Sequence, residues 1–264
     1  MNAKKTAIVT GSSRGIGKTI AIELAKVGYD IIVVYFSNQD AAKEVQSIIQ
    51  DNGQQCHIVQ ADVTDPLSAS NLVKEAINQF KHIDLLVNNV GDFFFKPIEE
   101  MTISEWDHVL KSNLSSAFYL CHSIIPFMKE RKAGNIINIG LSTNNLVRAS
   151  ANVSAYSIAK TGIAILTSSM AEELAEYGIR VNCVSPGLID NGHLPESQKT
   201  WMIERVPMKR LGRSEDIADA IIYLASDKSA YVSGSNLAVS GAWDWNGRPN
   251  VNDEQVHDLF VEPA

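Results

Sequence analysis

The sequence predicts a single α/β domain built on one doubly wound parallel sheet of about seven strands, with helices on both faces. Short runs of apolar, β-branched residues recur along the chain, and segments with helical periodicity separate them. These runs are apolar along their whole length, which is expected of strands covered on both faces. The candidate strands are residues 6–10, 31–36, 55–61, 85–88, 135–139, 180–185 and 236–239.

The segments between the strands predict the covering helices. In residues 15–28, the apolar side chains of Ile16, Ile20, Leu24 and Val27 recur at helical spacing. Residues 104–129 and 155–170 predict two longer helices. The alternation of strand and helix indicates a Rossmann-like sheet, in which ligands bind beyond the carboxyl ends of the strands.

Composition favours one domain. The chain has 264 residues, of which 45% are hydrophobic, and no Pro/Gly/Ser-rich linker divides it. Residues 1–245 are therefore expected to form the domain. Residues 246–264 lose the strand-helix pattern and are expected to be a tail, either weakly ordered or an arm on a neighbouring subunit.

Charge and cysteine content exclude several function classes. A formal charge of −7 argues against a nucleic-acid-binding surface. Cys56, Cys121 and Cys183 are widely spaced, and His193 has no partner at ligand spacing, so we expect free thiols and no metal. Without a signal-like segment or a membrane-length apolar run, a cytoplasmic location and no membrane partner are expected.

A glycine-rich turn joins the first strand to the first helix. Residues 10–17 read Thr-Gly-Ser-Ser-Arg-Gly-Ile-Gly. Glycine lets the backbone approach a diphosphate at the positive helix N-terminus, although such a turn also serves simply to tighten the junction. The residues expected at a phosphate site here are Gly11, Ser13, Arg14, Gly15, Ile16 and Gly17.

The turn resembles the Thr-Gly-x-x-x-Gly-x-Gly signature of the short-chain dehydrogenase/reductase family. It matches neither Gly-x-Gly-x-x-Gly nor a P-loop. Further segments match that family in order over residues 4–245: Asn88-Asn89-Val90-Gly91, Asn113 within Lys-Ser-Asn-Leu, Tyr156-x-x-x-Lys160, and Pro186-Gly187.

The end of the second strand favours NADP(H) as cofactor. An NAD-preferring site usually has an acid there, whereas this chain has Ser37 and Asn38. Arg14 would bind the 2′-phosphate, with a solvated surface charge as the alternative. The resemblance also implies contacts to adenine, the adenosine ribose and nicotinamide from Asp62, Val63, Asn88, Asn89, Gly91, Pro186, Gly187 and Ile189.

Tyr156 and Lys160 are the candidate catalytic pair. Four residues apart in a predicted helix, their side chains emerge on one face. By itself this spacing occurs often by chance, usually as a core tyrosine beside a lysine. A phenol near a cation has a lowered pKa, which suits proton exchange with a carbonyl oxygen, so Tyr156 is expected to be the acid/base. The resemblance implies that Lys160 also binds the nicotinamide ribose.

Two further polar positions each have alternative interpretations. The resemblance implies that Asn113 holds a water in a proton relay, whereas an ordinary reading is a buried, hydrogen-bonded asparagine. The family usually has Asn-Ile-Ser-Ser after the fifth strand, but this chain has Asn138-Ile139-Gly140-Leu141-Ser142-Thr143. Counting from the strand places Leu141 in the serine position, and counting from the tyrosine places Thr143 there. Ser142 is our first candidate for the substrate-binding hydroxyl.

The resemblance implies an NADPH-dependent ketoreductase similar to the 3-oxoacyl-acyl-carrier-protein reductases of fatty acid biosynthesis. Its substrate would be a small or carrier-bound carbonyl compound. Arg131 and Lys132 would contact the acidic carrier protein, or they would only interact with the negative end of the helix dipole. Pteridine reduction is an alternative, because residues 93–95 are phenylalanines able to stack on a flat ring. An NADPH-sensing regulator without catalysis is a third. A homotetramer or homodimer is expected through residues 104–129 and 155–175.

Overall fold

Strands and helices alternate along the chain. The computed structural model describes residues 4–141, 152–190, 192 and 194–244. The elements are, in order, β1 (Thr6–Val9), α1 (Gly15–Lys26), β2 (Asp30–Tyr35), α2 (Gln39–Asp51), β3 (Cys56–Gln60), α3 (Pro66–Phe80), β4 (Leu85–Asn88), α4 (Ile103–Leu110), α5 (Ser116–Arg131), β5 (Gly134–Ile139), α6 (Ser154–Leu174), β6 (Ile179–Pro186), α7 (Glu196–Arg205), α8 (Ser214–Ala225) and β7 (Asn236–Val239).

The strands form one parallel sheet in the order β3-β2-β1-β4-β5-β6-β7. The chain builds outward from β1 to β3, returns to the other side of β1, and then builds outward again from β4. This reversal opens a crevice at the carboxyl ends of β1 and β4, which is where a doubly wound sheet binds its ligands. The predicted fold class is confirmed.

Two apolar cores cover the two faces of the sheet. Ala7 and Val9 of β1 point to one face, against α1, α2 and α8, while Ile8 between them points to the other, against α3, α5 and α6. Because β1, β2 and β4 each contribute to both cores, none of them carries the polar face of an exposed sheet. This double burial explains why the strands are apolar throughout.

The helix N-termini differ in how they are satisfied. Asn38, Asp65 and Thr102 cap α2, α3 and α4 by accepting hydrogen bonds from backbone N–H groups of the first turn. In contrast, α1 has no side-chain cap and no acidic residue in its first turn. Its free N–H groups and positive dipole end face the crevice beyond β1, and this is a favourable environment for an anion.

The helix predicted over residues 104–129 is interrupted. A π-helical turn at Lys111–Ser115 separates α4 from α5. There the side-chain Nδ2 of Asn113 donates to the carbonyl of Val109 at 3.0 Å, and Ser116 Oγ donates to the carbonyl of Ser112 at 2.6 Å. Side chains thus compete for carbonyls that a regular α-helix gives to its own N–H groups, and the turn widens.

Cys56, Cys121 and Cys183 are free and buried, as the sequence predicts. Within the ranges that the structure describes, no helix has the length and apolar character needed to cross a membrane.

Candidate active site

The glycine turn is held in place from two sides. Asn89 Nδ2 donates to the carbonyl of Thr10 at 2.9 Å, and the Asn89 N–H donates to Thr10 Oγ1 at 2.9 Å. On the other side, Ser12 Oγ donates to the carbonyl of Val9 and accepts from the Val34 N–H. Thr10 stands in the sequence signature of the turn, but sequence reasoning gave no role to either Thr10 or Ser12.

The turn leaves room that only glycine permits. Gly11 and Gly15 have φ of 62° and 56°, in the left-handed region that favours glycine. A Cβ at Gly17 would collide with the carbonyl oxygen of Gly11 and lie 2.6 Å from Asn89 Nδ2. Since α1 starts here without a cap, the turn and the helix end together form a cradle suited to a diphosphate.

The end of β2 has no carboxylate. Arg14, Ser37 and Asn38 are exposed beside the crevice. Asn38 uses its side-chain oxygen to cap α2, which leaves its amide group for other partners. At the end of β3, Asp62 Oδ1 accepts from the N–H and hydroxyl of Thr64, and Val63 is buried. These side chains form the rim expected to meet an adenosine 2′-phosphate and adenine.

Asn88 lies below the crevice and does not face it. Its Nδ2 donates to Asn138 Oδ1 at 2.8 Å, and Asn138 Nδ2 donates to Thr167 Oγ1 at 2.9 Å. All three side chains are buried. The network joins β4, β5 and α6 through Asn88 Nδ2, and the ribose contact that the family resemblance implies for Asn88 stays a prediction. Asn89 and Gly91 lie at the edge of the crevice.

Tyr156 and Lys160 lie together in the first turns of α6. Lys160 is buried, and its Nζ donates to the carbonyl of Ile139, at the end of β5, at 2.9 Å. The same Nζ lies 5.6 Å from the centroid of the Tyr156 ring. The carboxyl end of β5 therefore fixes the lysine, and the lysine lies against the phenol, as the predicted pairing requires.

Burial acts on the pKa of Tyr156 in the opposite direction to the charges of Lys160 and of an oxidised nicotinamide ring, which together are expected to lower it. Burial raises the pKa of Tyr156 to about 12, because desolvation disfavours the phenolate. Burial also lowers the pKa of Lys160 to about 8, and the nearby thiol of Cys183 opposes that shift only in part. The lysine lies over the ring and is itself desolvated, so its charge does not offset the burial of the hydroxyl.

Lys160 predicts a pH dependence of stability. Its folded pKa of about 8 lies below the ordinary value of 10.5, so between these pH values the unfolded chain binds more protons and stability rises with pH. At 1.36 kcal/mol per pKa unit, the gain is on the order of 3 kcal/mol. Urea denaturation at pH 7.5 and pH 10.5 should show this rise relative to Lys160→Met. Parallel pH profiles in the two proteins would contradict it.

Asn113 extends the pair toward the π-helical turn. Its Nδ2 donates to the carbonyl of Asp92 at 2.6 Å, while its buried Oδ1 has no partner within the described part of the chain. A Cβ at Gly91 would collide with that Oδ1 and lie 3.3 Å from Lys160 Nζ. Asn113 Oδ1 and Lys160 Nζ thus both lie next to Gly91, and only a residue without a Cβ fits between them.

The end of β6 packs closely against the exit of β7. The Gly187 N–H donates to the carbonyl of Val239, and a Cβ at Gly187 would lie 2.6 Å from the Cα of Ser240. Pro186 and Gly187 therefore pack tightly against the exit of β7. Ile189 forms an isolated bridge with Gly212, which ties the segment after β6 to the segment before α8.

Two further features lie next to Tyr156 and Lys160. The Phe93 ring lies 5.8 Å from that of Tyr156, centroid to centroid. Leu141, Lys160 and Cys183 line a cavity of about 580 Å³. A Cβ at Gly140 would lie 2.6 Å from Ser185 Oγ, so a serine at position 140 would require the side chains of Cys183 and Ser185 to move. Ser142 and Thr143 lie outside the described residues.

The described residues contain no cluster of three or more His, Cys, Asp or Glu side chains arranged to hold a metal ion. The groups that converge on the crevice are instead a phenol, an ammonium, a carboxamide and backbone N–H groups.

Comparison with known proteins assigns this arrangement to a family. Residues 11–243 match a family model described as enoyl-(acyl carrier protein) reductase. The chain is 37% identical over 242 residues to 3-oxoacyl-(acyl-carrier-protein) reductase FabG of Staphylococcus epidermidis, covering 90% of this chain and 98% of that protein. It belongs to the short-chain dehydrogenase/reductase family. Its members are oxidoreductases that act on carbonyl or alcohol groups.

Other relatives agree. FabG of Salmonella typhimurium is 35% identical over 240 residues, covering 90% of this chain and 96% of that protein. A solved structure described as a short-chain alcohol dehydrogenase from Sinorhizobium meliloti superposes with a TM-score of 0.85 at 28% identity, covering 90% and 96% of the two chains.

Proposed function

We propose that this protein is an NADPH-dependent ketoreductase of the 3-oxoacyl-acyl-carrier-protein reductase type, with Tyr156 as its acid/base. The observation that carries the proposal is the buried Lys160, held by the Ile139 carbonyl next to the Tyr156 ring and close to Gly91. The similarity to FabG proteins supports the substrate class.

The residues of the crevice fit a nicotinamide dinucleotide. The cradle of Gly11, Gly15 and Gly17 at the free end of α1 would hold its diphosphate, with Ser13 and Ile16 in the same turn. Pro186, Gly187 and Ile189 would border the nicotinamide. When bound, the reduced cofactor supplies the hydride that the carbonyl carbon accepts.

The proton for the carbonyl oxygen would come from Tyr156. As the carbon is reduced, charge develops on the oxygen, and the Tyr156 hydroxyl donates its proton to it. The raised pKa of Tyr156 keeps the phenol protonated before the reaction. Lys160 stabilises the phenolate that remains, and protons return through Lys160 and a water held by Asn113 Oδ1. A hydroxyl from Ser142, our proposed fourth catalytic residue, would hold the substrate oxygen.

Cofactor preference is testable at Arg14. Replacing Arg14 with alanine should weaken NADPH binding by about tenfold or more and leave NADH binding nearly unchanged, because a charge-assisted hydrogen bond contributes roughly 1.5–3 kcal/mol. Titration of both cofactors by fluorescence checks this. Lys26→Ala, at the opposite end of α1, is the matched control. Equal losses for NADPH and NADH would refute the 2′-phosphate role.

A substrate panel tests the reaction itself. The purified protein should oxidise NADPH when an acetoacetyl thioester is present. The loss of NADPH absorbance measures this reaction. Turnover with dihydrobiopterin but not with thioesters would favour the pteridine alternative, and tight NADPH binding without turnover on either substrate would favour a sensor.

One observation favours pteridine reduction as a second candidate. The Phe93 ring next to Tyr156 offers an aromatic surface at the reaction centre on which a planar bicyclic substrate would stack. The ring centroid of the next residue, Phe94, lies 6.2 Å from that of His108.

Partners, assembly and location complete the proposal. We propose that the chain forms a homotetramer or homodimer, because α5 and α6 expose the apolar side chains of Phe118, Phe127, Ile158 and Ile165. The proposed location is the cytoplasm. An acyl carrier protein is the proposed donor of substrate. Arg131 contributes little to such docking, since it already donates to Asp84 at 2.8 Å and to the carbonyl of Ile83.

A further inference from the structure

Two neighbouring cavities form one groove beside the exit of β7. One, of about 540 Å³, lies against α7 and the segment that joins it to α8. The other, of about 370 Å³, is lined by Gly241 and Ala242, the residues that follow β7. Arg210 and Gly212 line both cavities. The surface is thus continuous from the end of the described chain to α7, and we name it the basic groove.

The basic groove carries more positive than negative charge. Lys199, Lys209, Arg210 and Arg213 line its α7 end. Two acids offset them: Asp190 lies 3.1 Å from Lys199, and Asp216 binds Arg210 at 2.8 Å. Arg213 approaches Asp216 only to 3.9 Å with a side chain that is 71% exposed. Two cations therefore remain in excess and accessible.

The other end of the groove is apolar. Leu188, Met208 and Val239 line it, and Met208 is 66% exposed. The Met208 N–H donates to the carbonyl of Gly241 at 3.2 Å, which fixes this end next to the chain leaving β7. An occupant that matches the whole groove would combine apolar side chains with several carboxylates.

The C-terminal segment of this chain has that composition. Residues 245–264 contain four acids, Asp253, Glu254, Asp258 and Glu262, against one cation, Arg248. Apolar residues lie between the acids, at Val256 and at 259–261. The match to the family model ends at residue 243, so this segment is an addition to the shared fold. In the sequence, the segment also starts three residues after Ala242, which lines the groove.

We propose that residues 245–264 bind in the basic groove of their own chain, with their carboxylates against Lys209 and Arg213 and next to Lys199, which Asp190 already pairs. Three independent features support this: the groove starts at Ala242, its charge is opposite to that of the segment, and its apolar end has an exposed methionine to cover. Docking there would fasten α7 and the segment before α8 to the C-terminus.

Carbodiimide cross-linking of the full-length protein tests the proposal, because this reagent joins a lysine amine directly to a carboxylate in contact with it. Mass spectrometry should find the tail carboxylates linked to Lys199 and Lys209. Exposed Lys43 and Lys74, on α2 and α3 at the opposite edge of the sheet, are the internal controls. A free tail of 20 residues, reaching up to ~3.3 Å per residue, would reach these lysines as well. Equal linkage to all four would overturn the proposal.

A second variant separates docking from chance proximity. Arginine does not react with the activated carboxylate, so Arg213→Gln should reduce the Lys209 cross-links several-fold only if its charge helps to hold the tail. Lys74→Gln should leave them unchanged. A mixture of ¹⁵N-labelled and unlabelled protein should give links within one chain. Links mainly between labelled and unlabelled chains, or an unchanged yield in Arg213→Gln, would refute the proposal.

Discussion

Replacing Tyr156 with phenylalanine is expected to abolish most carbonyl reduction while NADPH binding persists. The substitution removes only the hydroxyl that would protonate the substrate oxygen and keeps the ring that packs against Phe93 and Lys160. Positioned general acids typically contribute 10²–10⁴-fold, so we expect kcat to fall by roughly that factor. Stopped-flow turnover and an NADPH titration measure the two effects separately.

Tyr29→Phe is the matched control for this change. Tyr29 is a buried tyrosine whose hydroxyl donates to the carbonyl of Ala225 at the end of α8. Its loss should lower the free energy of unfolding by about 1 kcal/mol and leave kcat unaltered. Normal turnover in Tyr156→Phe would show that another group delivers the proton.

Replacing Gly17 with alanine is expected to weaken NADPH binding at least about tenfold, a cost of ~1.4 kcal/mol or more. In an ordinary helix, alanine is favoured over glycine by roughly 1 kcal/mol. Here the new Cβ would meet the carbonyl oxygen of Gly11, a backbone atom that cannot rotate away. The turn must therefore shift, and with it the N–H groups proposed to bind the diphosphate. Isothermal titration with NADPH measures the loss.

The control for Gly17 is Gly53, in the turn after α2. Gly53 has φ of 81°, and a Cβ added there would meet nothing within 4 Å, so Gly53→Ala strains the backbone without touching the cradle. It should lower the unfolding free energy but not the NADPH affinity. If both variants bind NADPH as tightly as the parent, the glycine turn is not the diphosphate site.

The sequence predicts the sheet well because double burial imposes a simple pattern. Each candidate strand overlaps an observed one, and β4 and β7 match at both ends. The π-helical turn at Lys111–Ser115 leaves no such pattern, because it arises from a side chain, Asn113, that binds the Val109 carbonyl in competition with the backbone.

The sequence predicts those properties of the site that depend on which residues are present and how they are spaced. The spacing of Tyr156 and Lys160 predicts their pairing, and the structure brings them together. The direction of the Tyr156 pKa depends instead on how much solvent the fold removes, and burial outweighs the neighbouring charge. Likewise, only the packing of Asn88 against Asn138 separates its role from that of Asn89 next to it.

The widened turn between α4 and α5 also restricts how the length of this segment can change. Each residue of an α-helix rotates the chain by about 100° around the helix axis. Deleting one residue from Lys111–Ser115 would therefore either turn Asn113 away from Gly91 or rotate α5 relative to the core that it packs against. Single-residue deletions here should consequently be far less tolerated than substitutions of exposed residues. The spacing between the two halves of this helix pair is as much a part of the site as the asparagine itself.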